Sequence, residues 1–264
     1  MNSGVYRGGD GETIEPTVFL GGKLRLVQPV SGYRAGFDAV LLAASVPLAP
    51  GSRANVLDAG SGVGAVGLSL AVRVSDCRVT LVEREPELAR MAGWNIACNA
   101  VGERCRVVEA DLTAPAQGLE SAGLEAETQD VVVANPPYFI SGSSQPARDP
   151  LRAASHQMAD RELERWMRFA ARMLKPHGTF VMIHRTEALA AVIAALDGRF
   201  GDLAVVPIHS REGEPARRFL LKARKGSRAP LRLMPGLIVH EGPDNAFKPA
   251  VKKVCSMGAG LDLF

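Results

Sequence analysis

Alternating apolar runs and helical patterns, a glycine-rich turn after the first run, and an acid closing each of the first three runs predict a doubly wound α/β sheet, mostly parallel, with helices on both faces. A chain of 264 residues suits one large domain, divided into a lead-in of short strands and a helix (1–48) and a main domain ending in a basic segment (49–264). Hydrophobic residues at 47% and charged residues at 22% exclude a long disordered tract. No apolar run approaches the roughly 20 residues a spanning helix needs, and Met1 to Glu15 is polar and Gly-rich without a signal-peptide core, so a cytoplasmic protein is expected.

In the lead-in, Val18 to Pro29 reads as short strands around Gly21-Gly22, and Asp38 to Val46 as a helix with apolar residues at 40, 41, 42 and 46. The main sheet then runs through Val56-Leu57, Val79 to Val82, Val107-Val108, Val131 to Val133 and Phe180 to Ile183, the apolar, β-branched pattern of strands buried on both faces. Helices Gly64 to Val74, Pro86 to Asn99, Arg161 to Leu174 and Glu187 to Leu196 follow the first, second, fourth and fifth runs. Pro86 sits where a first helical turn tolerates it, and Lys175-Pro176-His177-Gly178 is a helix stop. Leu203 to Ile208 and Phe219 to Ala223 flank the polar stretch Ser210 to Pro215 and form an antiparallel hairpin at the sheet's edge.

Asn55-Val56-Leu57-Asp58-Ala59-Gly60-Ser61-Gly62-Val63-Gly64 is a strand running into a glycine turn and a helix, where backbone comes close to a ligand and N–H groups are unpaired. Gly62, Gly64 and Gly67 also satisfy GxGxxG, with Glu83 19 residues past Gly64, so a nicotinamide-dependent oxidoreductase is a rival reading. Asp58 weighs against it, because a carboxylate at that strand end repels a pyrophosphate and holds a cation. A sulfonium bearing an α-amino group is such a cation. Glu83 ends the second strand, where it can accept both ribose hydroxyls, and Asp111 follows the third, where it can accept from an adenine amino group. Asp58, Glu83 and Asp111 with Gly60, Gly62 and Gly64 therefore point to S-adenosylmethionine as cofactor and S-adenosylhomocysteine as product. Taken singly, each acid is equally a helix cap or a solvated carboxylate.

Asn135-Pro136-Pro137-Tyr138 follows the fourth strand at the carboxyl edge, where such sheets bind ligands. Prolines fix φ and remove donors, leaving carbonyls to face a cleft. The Asn135 amide oxygen and the Pro136 carbonyl can hold an –NH2 group while Tyr138 offers a flat face to a planar one. An exocyclic or amide nitrogen delocalises its lone pair, and two acceptors on its hydrogens stabilise the charge that develops as it attacks a methyl group. No strong base is needed. Elsewhere the same tetrapeptide is an ordinary turn.

Here the sequence resembles the class I methyltransferases and, within them, the bacterial tRNA(Val) adenine-N6 methyltransferase family of the small-domain type. The resemblance extends from about Val18 to Phe264. It rests on DAGSGVG, on NPPY, on the lead-in from Gly32 through Arg34 and Asp38 to Leu41-Leu42, and on the tail Gly242-Pro243-Asp244-Asn245-Ala246-Phe247. It implies methylation of the adenosine 3′ to the anticodon. It also implies a Rossmann-like sheet and roles by position: Asp58, Gly60, Gly62, Glu83 and Asp111 at the cofactor, Asn135 to Tyr138 at the target base, and Arg34 with Asp38 near the methionine end. The chain departs from the family at Ala43-Ala44 and at its ending Leu261-Asp262-Leu263-Phe264. Protein glutamine methyltransferases and rRNA guanine-N2 methyltransferases share the tetrapeptide, and a non-catalytic RNA-binding relative shares the fold.

Charge supports a nucleic-acid partner. Segment 211–253 holds eleven Lys or Arg against four Asp or Glu, a net +7, leaving −4 for the rest of a +3 chain. The expected partner is tRNA, held by that segment together with Arg148 and Arg152 of the loop Phe139 to His156. Arg161, Arg165, Arg168 and Arg172 form a basic helical stripe, for which a solvated face with Glu164 paired to Arg168 is the favoured reading. Cys77, Cys98, Cys105 and Cys255 form no CxxC pair, and the five histidines (156, 177, 184, 209, 240) show no metal spacing, so reduced thiols and no metal are expected.

Overall fold

In the computed structural model, residues 5–8, 11, 13–31, 34–137, 150–242 and 244–264 are described, with backbone alone for 150–160. Two short antiparallel ribbons open the chain: β1 (Tyr6–Arg7) with β2 (Thr13–Ile14), and β3 (Thr17–Phe19) with β4 (Leu24–Leu26), the latter joined through a 3-10 turn at Leu20–Gly22. Helix α1 (Phe37–Ser45) follows.

The main sheet comprises β5 (Asn55–Ala59), β6 (Arg78–Glu83), β7 (Cys105–Glu109), β8 (Gln129–Ala134), β9 (Leu174–Arg185), β10 (Phe200–His209), β11 (Arg218–Lys225), β12 (Arg232–Leu233) and β13 (Leu237–Ile238). Its order is β12-β10-β11-β9-β8-β5-β6-β7, with β13 on β10. The first five of these strands pair in parallel, and β11 lies antiparallel between β9 and β10. The expected hairpin is present, but β12 and β13 add to β10 in parallel, so β10 is not an open edge. Connecting helices are α2 (Ala65–Arg73), α3 (Pro86–Cys98), α4 (Ala116–Ser121), α5 (Pro150–Met173) and α6 (Leu189–Leu196), and α7 (Pro249–Met257) closes the fold. Among the described residues no helix is long and apolar enough to cross a membrane.

Successive strand residues bury into opposite layers. Val131, Val133, Val181 and Ile183 pack with α1, α2 and α7, while Val132, Ala134, Phe180 and Met182 pack with α5 and α6. This two-sided burial produces the continuous apolar runs in the sequence. α5 ends at Met173, and Lys175 to Gly178, expected as a helix stop, lie within β9, where His177 has φ 62 at the shift in register.

The lead-in is fastened to α3 by two asparagines one turn apart. Asn99 Oδ1 accepts from Arg25 N–H (2.9 Å) and its amide donates to Arg25 O (2.7 Å). Asn95 repeats the pair on Val27 (2.8 and 3.1 Å) and also donates to Val63 O (2.9 Å). A period of two along the strand thus meets a period of four along the helix, and the outer edge of β4 is satisfied by side chains. Asn95 is fully buried, so Asn95→Leu strands three backbone groups without partners. We expect it to lower stability by about 2–4 kcal/mol in urea unfolding, against under about 1 kcal/mol for the exposed-edge change Asn99→Ala.

Candidate active site

The carboxyl ends of β5, β6, β7 and β8 border one cavity of about 280 Å³, lined by Asp58, Gly60, Gly62, Glu83, Asp111 and Asn135 among others. Asp58 is 1% exposed, and its Oδ2 accepts from Gly67 N–H (2.8 Å) in the first turn of α2. Burial pushes its carboxyl up to about 7, opposed by the Gly67 bond and reinforced by the nearby charge of Glu83. Glu83 is also buried, with Oε2 accepting from Gly62 N–H (2.8 Å) and Oε1 from the N–H groups of Arg84 and Glu85 (2.9 Å each). It ties the tip of β6 to the glycine turn. Asp111 Oδ1 accepts from the backbone and hydroxyl of Thr113 (2.8 and 2.9 Å), and the backbone bond leads in holding its carboxyl below the usual range.

The turn requires glycine for two distinct reasons. At Gly60, φ is 62, and a Cβ there would stand 2.3 Å from Trp166 Cη2 of α5. At Gly62, φ is 55, while a Cβ would meet no described atom within 4 Å, so here it is the backbone conformation and not crowding that excludes a side chain. Gly64 does not line the cavity. It precedes α2 with φ 86, and a Cβ there would crowd Leu81 at 2.7 Å.

At the end of β8, Asn135 and Pro137 line the cavity and Pro136 is buried. Tyr138, Arg148 and residues 139–149 lie outside the described residues, and for Arg152 only its place on α5 is described. Arg34 and Asp38, expected near the methionine end, line a pocket that adjoins the cavity. Ala35 and Ala39 face the cavity itself, and in this second pocket Asp38 Oδ2 accepts from Arg218 Nε (2.5 Å). Trp166, Ala35 and Ala39 also border the cavity and carry no sequence signal of it.

Several cations of segment 211–253 have local partners. Lys225 pairs with Glu127 (2.8 Å), Arg232 with Asp202 (2.9 Å), and Lys222 lies 5.3 Å from the centre of the Phe264 ring. Arg211, Arg217 and Arg218 converge instead on the second pocket. Of the stripe on α5, Arg168 pairs with Glu164 (2.6 Å) and Arg172 with Glu120 (2.5 Å), as a solvated face would. Among the described residues, no group of three His, Cys, Asp or Glu could hold a metal ion.

A cavity walled by backbone on its glycine side, with a fully buried carboxyl raised by desolvation at its floor, fits a cationic adenosine derivative. The Asp58 carboxylate stands where a pyrophosphate would be repelled, and its Oδ2 accepts from the Gly67 N–H of α2. Fold and site define an S-adenosylmethionine-dependent methyltransferase. The family model of the methyltransferase small domain matches residues 38–211, and the chain belongs to that family. A tRNA1(Val) (adenine(37)-N6)-methyltransferase of Aeromonas hydrophila is 33% identical over 196 residues, spanning 73% of this chain and 77% of the relative. One from Bacteroides fragilis is 30% identical over 190 residues, 71% of this chain and 76% of its own. The crystal structure of a predicted O-methyltransferase from Agrobacterium tumefaciens superposes with a TM-score of 0.71 at 35% identity, covering 85% of this chain and 98% of that one.

The folded Asp58 carboxyl lies above its ordinary value of 3.8, so its contribution to stability is present below about 4 and lost as pH rises through about 7. In thermal melts without ligand, wild type is expected to lose stability from pH 4 to 7 relative to Asp58→Asn, which keeps the acceptor for Gly67. Parallel pH profiles for the two proteins would contradict that assignment.

Proposed function

We propose that the enzyme methylates N6 of an adenosine beside the anticodon of tRNA, working in the cytoplasm. The observation that carries this reading is that Asn135, at the tip of β8, shares one cavity with the acids at the tips of β5, β6 and β7. The names of the relatives at 33% and 30% identity, which specify adenine 37 N6 of a tRNA, support the same substrate.

In this reading Asp58 holds the charged end of the cofactor, Glu83 its ribose and Asp111 its adenine, while Gly60 and Gly62 let the backbone close on it. S-adenosylmethionine, when bound, supplies a methyl group already activated by the sulfonium. Asn135 Oδ1 and the Pro136 carbonyl accept the two hydrogens of the adenine amino group, draw its nitrogen toward a pyramidal shape and orient its lone pair. Pro137 and Tyr138 flank the base, Tyr138 by stacking.

A second reading, O-methylation, is favoured by the description of the Agrobacterium relative. Hydroxyl substrates need a proton acceptor at the reacting oxygen. An amide and a proline carbonyl provide hydrogen-bond acceptors without basicity, which suits an amine. Protein glutamine nitrogen poses the same chemical demand as adenine and is separated by substrate.

Incubation with tritiated S-adenosylmethionine and unmodified tRNA, followed by digestion to nucleosides, is expected to yield N6-methyladenosine. Label in ribose 2′-O-methyl groups, or in a protein and not in tRNA, would overturn the proposal. Asn135→Ala is expected to leave S-adenosylhomocysteine affinity within about twofold and to reduce kcat by about 10²-fold or more, the scale of losing one transition-state hydrogen bond. Because a cation binds the ionised form of Asp58, affinity for S-adenosylmethionine should rise as pH passes from 6 through about 7 and level off above it. Calorimetry with wild type and Asp58→Asn checks this: the variant is expected to bind at least about tenfold more weakly at pH 8 and to lose the pH dependence.

A further inference from the structure

The second pocket is wider than the first, about 710 Å³, and is lined by four arginines, Arg34, Arg211, Arg217 and Arg218, against two acids, Asp38 and Glu214. We propose that it binds the RNA backbone flanking the target nucleotide, an inference that rests on the tRNA reading above.

Its location carries the argument. β9 and β10 run parallel to β8, and β11 runs opposite, so the end of β10 at Ile208–His209 and the start of β11 at Arg218 lie on the same sheet edge as Asn135. From β8 to β11 is two strand steps and to β10 three, about 10–14 Å along that edge at roughly 4.8 Å per strand. The two pockets also share a wall. Arg34 and Ala35 are consecutive, with α-carbons about 3.8 Å apart, yet Arg34 borders the basic pocket and Ala35 the cofactor cavity. A polyanion with one unit extruded into the cavity therefore has this pocket within reach of its neighbouring units.

The pocket is also built to hold its charges in place. Asp38 fixes Arg218 (2.5 Å). Arg211 donates to Asn245 Oδ1 (2.8 Å) and to Gly242 O (3.3 Å), with Glu214 at 3.8 Å. Arg217 has its backbone bonded on both sides, N–H to Ile208 O (3.3 Å) and O to Thr186 N–H (3.2 Å), and its side chain is exposed. Arg34, also exposed, touches Thr17 Oγ1 (3.4 Å). The N-terminus of α1 at Phe37 opens on the same space and adds its partial positive charge. Two of the bordering residues, Phe37 and His240, are the outer rings of a stack around Phe247, at 5.3 Å and 5.1 Å with interplanar angles of 11° and 16°. Gly242, Asn245 and Phe247 thereby gain a role: the first two seat Arg211, and Phe247 supports two flat faces beside the phosphate-binding charges.

The test uses the full-length enzyme, an unmodified tRNA transcript and the double variant Arg34→Ala/Arg217→Ala, with both arginines replaced by lysine as the charge-retaining control. The alanine variant is expected to raise KM for tRNA about tenfold or more, leave kcat within about twofold at saturating RNA, and leave S-adenosylhomocysteine affinity unchanged. The slope of log affinity against log salt should fall by about 0.7 for each single-strand phosphate that is no longer neutralised, and lysine should restore most of it. Unchanged KM and salt slope, with wild type methylating tRNA normally, overturn this proposal alone. Loss of cofactor affinity in step with KM also overturns it, since the pocket would then serve the cofactor. If wild type methylates protein and not RNA, the tRNA reading fails and takes this inference with it.

Discussion

A carboxylate held out of water at the tip of the first strand constrains everything around it. Asp58 is buried beneath the start of α2, where the Gly67 N–H donates to it. For that bond to form, the helix must come close to the sheet. A Cβ at 67 would stand 2.3 Å from Leu81 Cδ2 and 3.2 Å from the Asp58 oxygen itself, so the position admits only hydrogen. The spacing shared with a dinucleotide fingerprint reflects a shared packing demand. Its third glycine lets a helix settle on a strand, and here the helix caps itself with that strand's own acid.

The order of the strands distributes charge along one edge of the sheet. β5, β6 and β7 extend to one side with Asp58, Glu83 and Asp111 at or just after their tips, while β8, β9, β11 and β10 extend to the other and bring Arg211, Arg217 and Arg218 together. The chain reverses direction of build between β5 and β8, the position where open α/β sheets form a crevice. Asn135 stands at that crossing. A cationic donor on the acidic half and a polyanionic acceptor on the basic half would meet there without either crossing a region of its own sign.

The buried parallel strands and the helices packed on them are legible in the sequence because burial on both faces leaves continuous apolar runs. Elements that bury little are not. α7 contributes only Val251 and Val254 to the core, set among lysines, and reads as part of a basic tract. β12 and β13 are two residues each and form only because β10 offers an edge. Asn95 looks like a solvated helix residue in the sequence, yet it is fully buried and satisfies two segments at once, a role set by tertiary partners 68 and 32 residues away. Charge counted along 211–253 also misleads about charge in space, because neighbouring residues of β10 and β11 point to opposite faces and several cations pair with local acids. The three acids and the tetrapeptide can be located because strand ends are sequence-local. Trp166, which covers Gly60, cannot, since its position over the turn depends on how α5 crosses the sheet.

Ala35 and Ala39 turn toward the cofactor cavity, and Arg34 and Asp38 toward the basic pocket. Proximity in sequence places the pair near the site, but it does not decide which way they face. Small residues of the lead-in border the cavity, while the charged pair has a partner across the fold. Asp38 finds one in Arg218, 180 residues away, and the bond is partly screened from water at 18% exposure of the acid. Together with Asn95 on Val27, this pair anchors the lead-in at both ends of the stretch that divides the two pockets. The partition between them is therefore held by α3 on one side and by β11 on the other, and the charge that fixes it belongs to the same cluster that faces the second pocket.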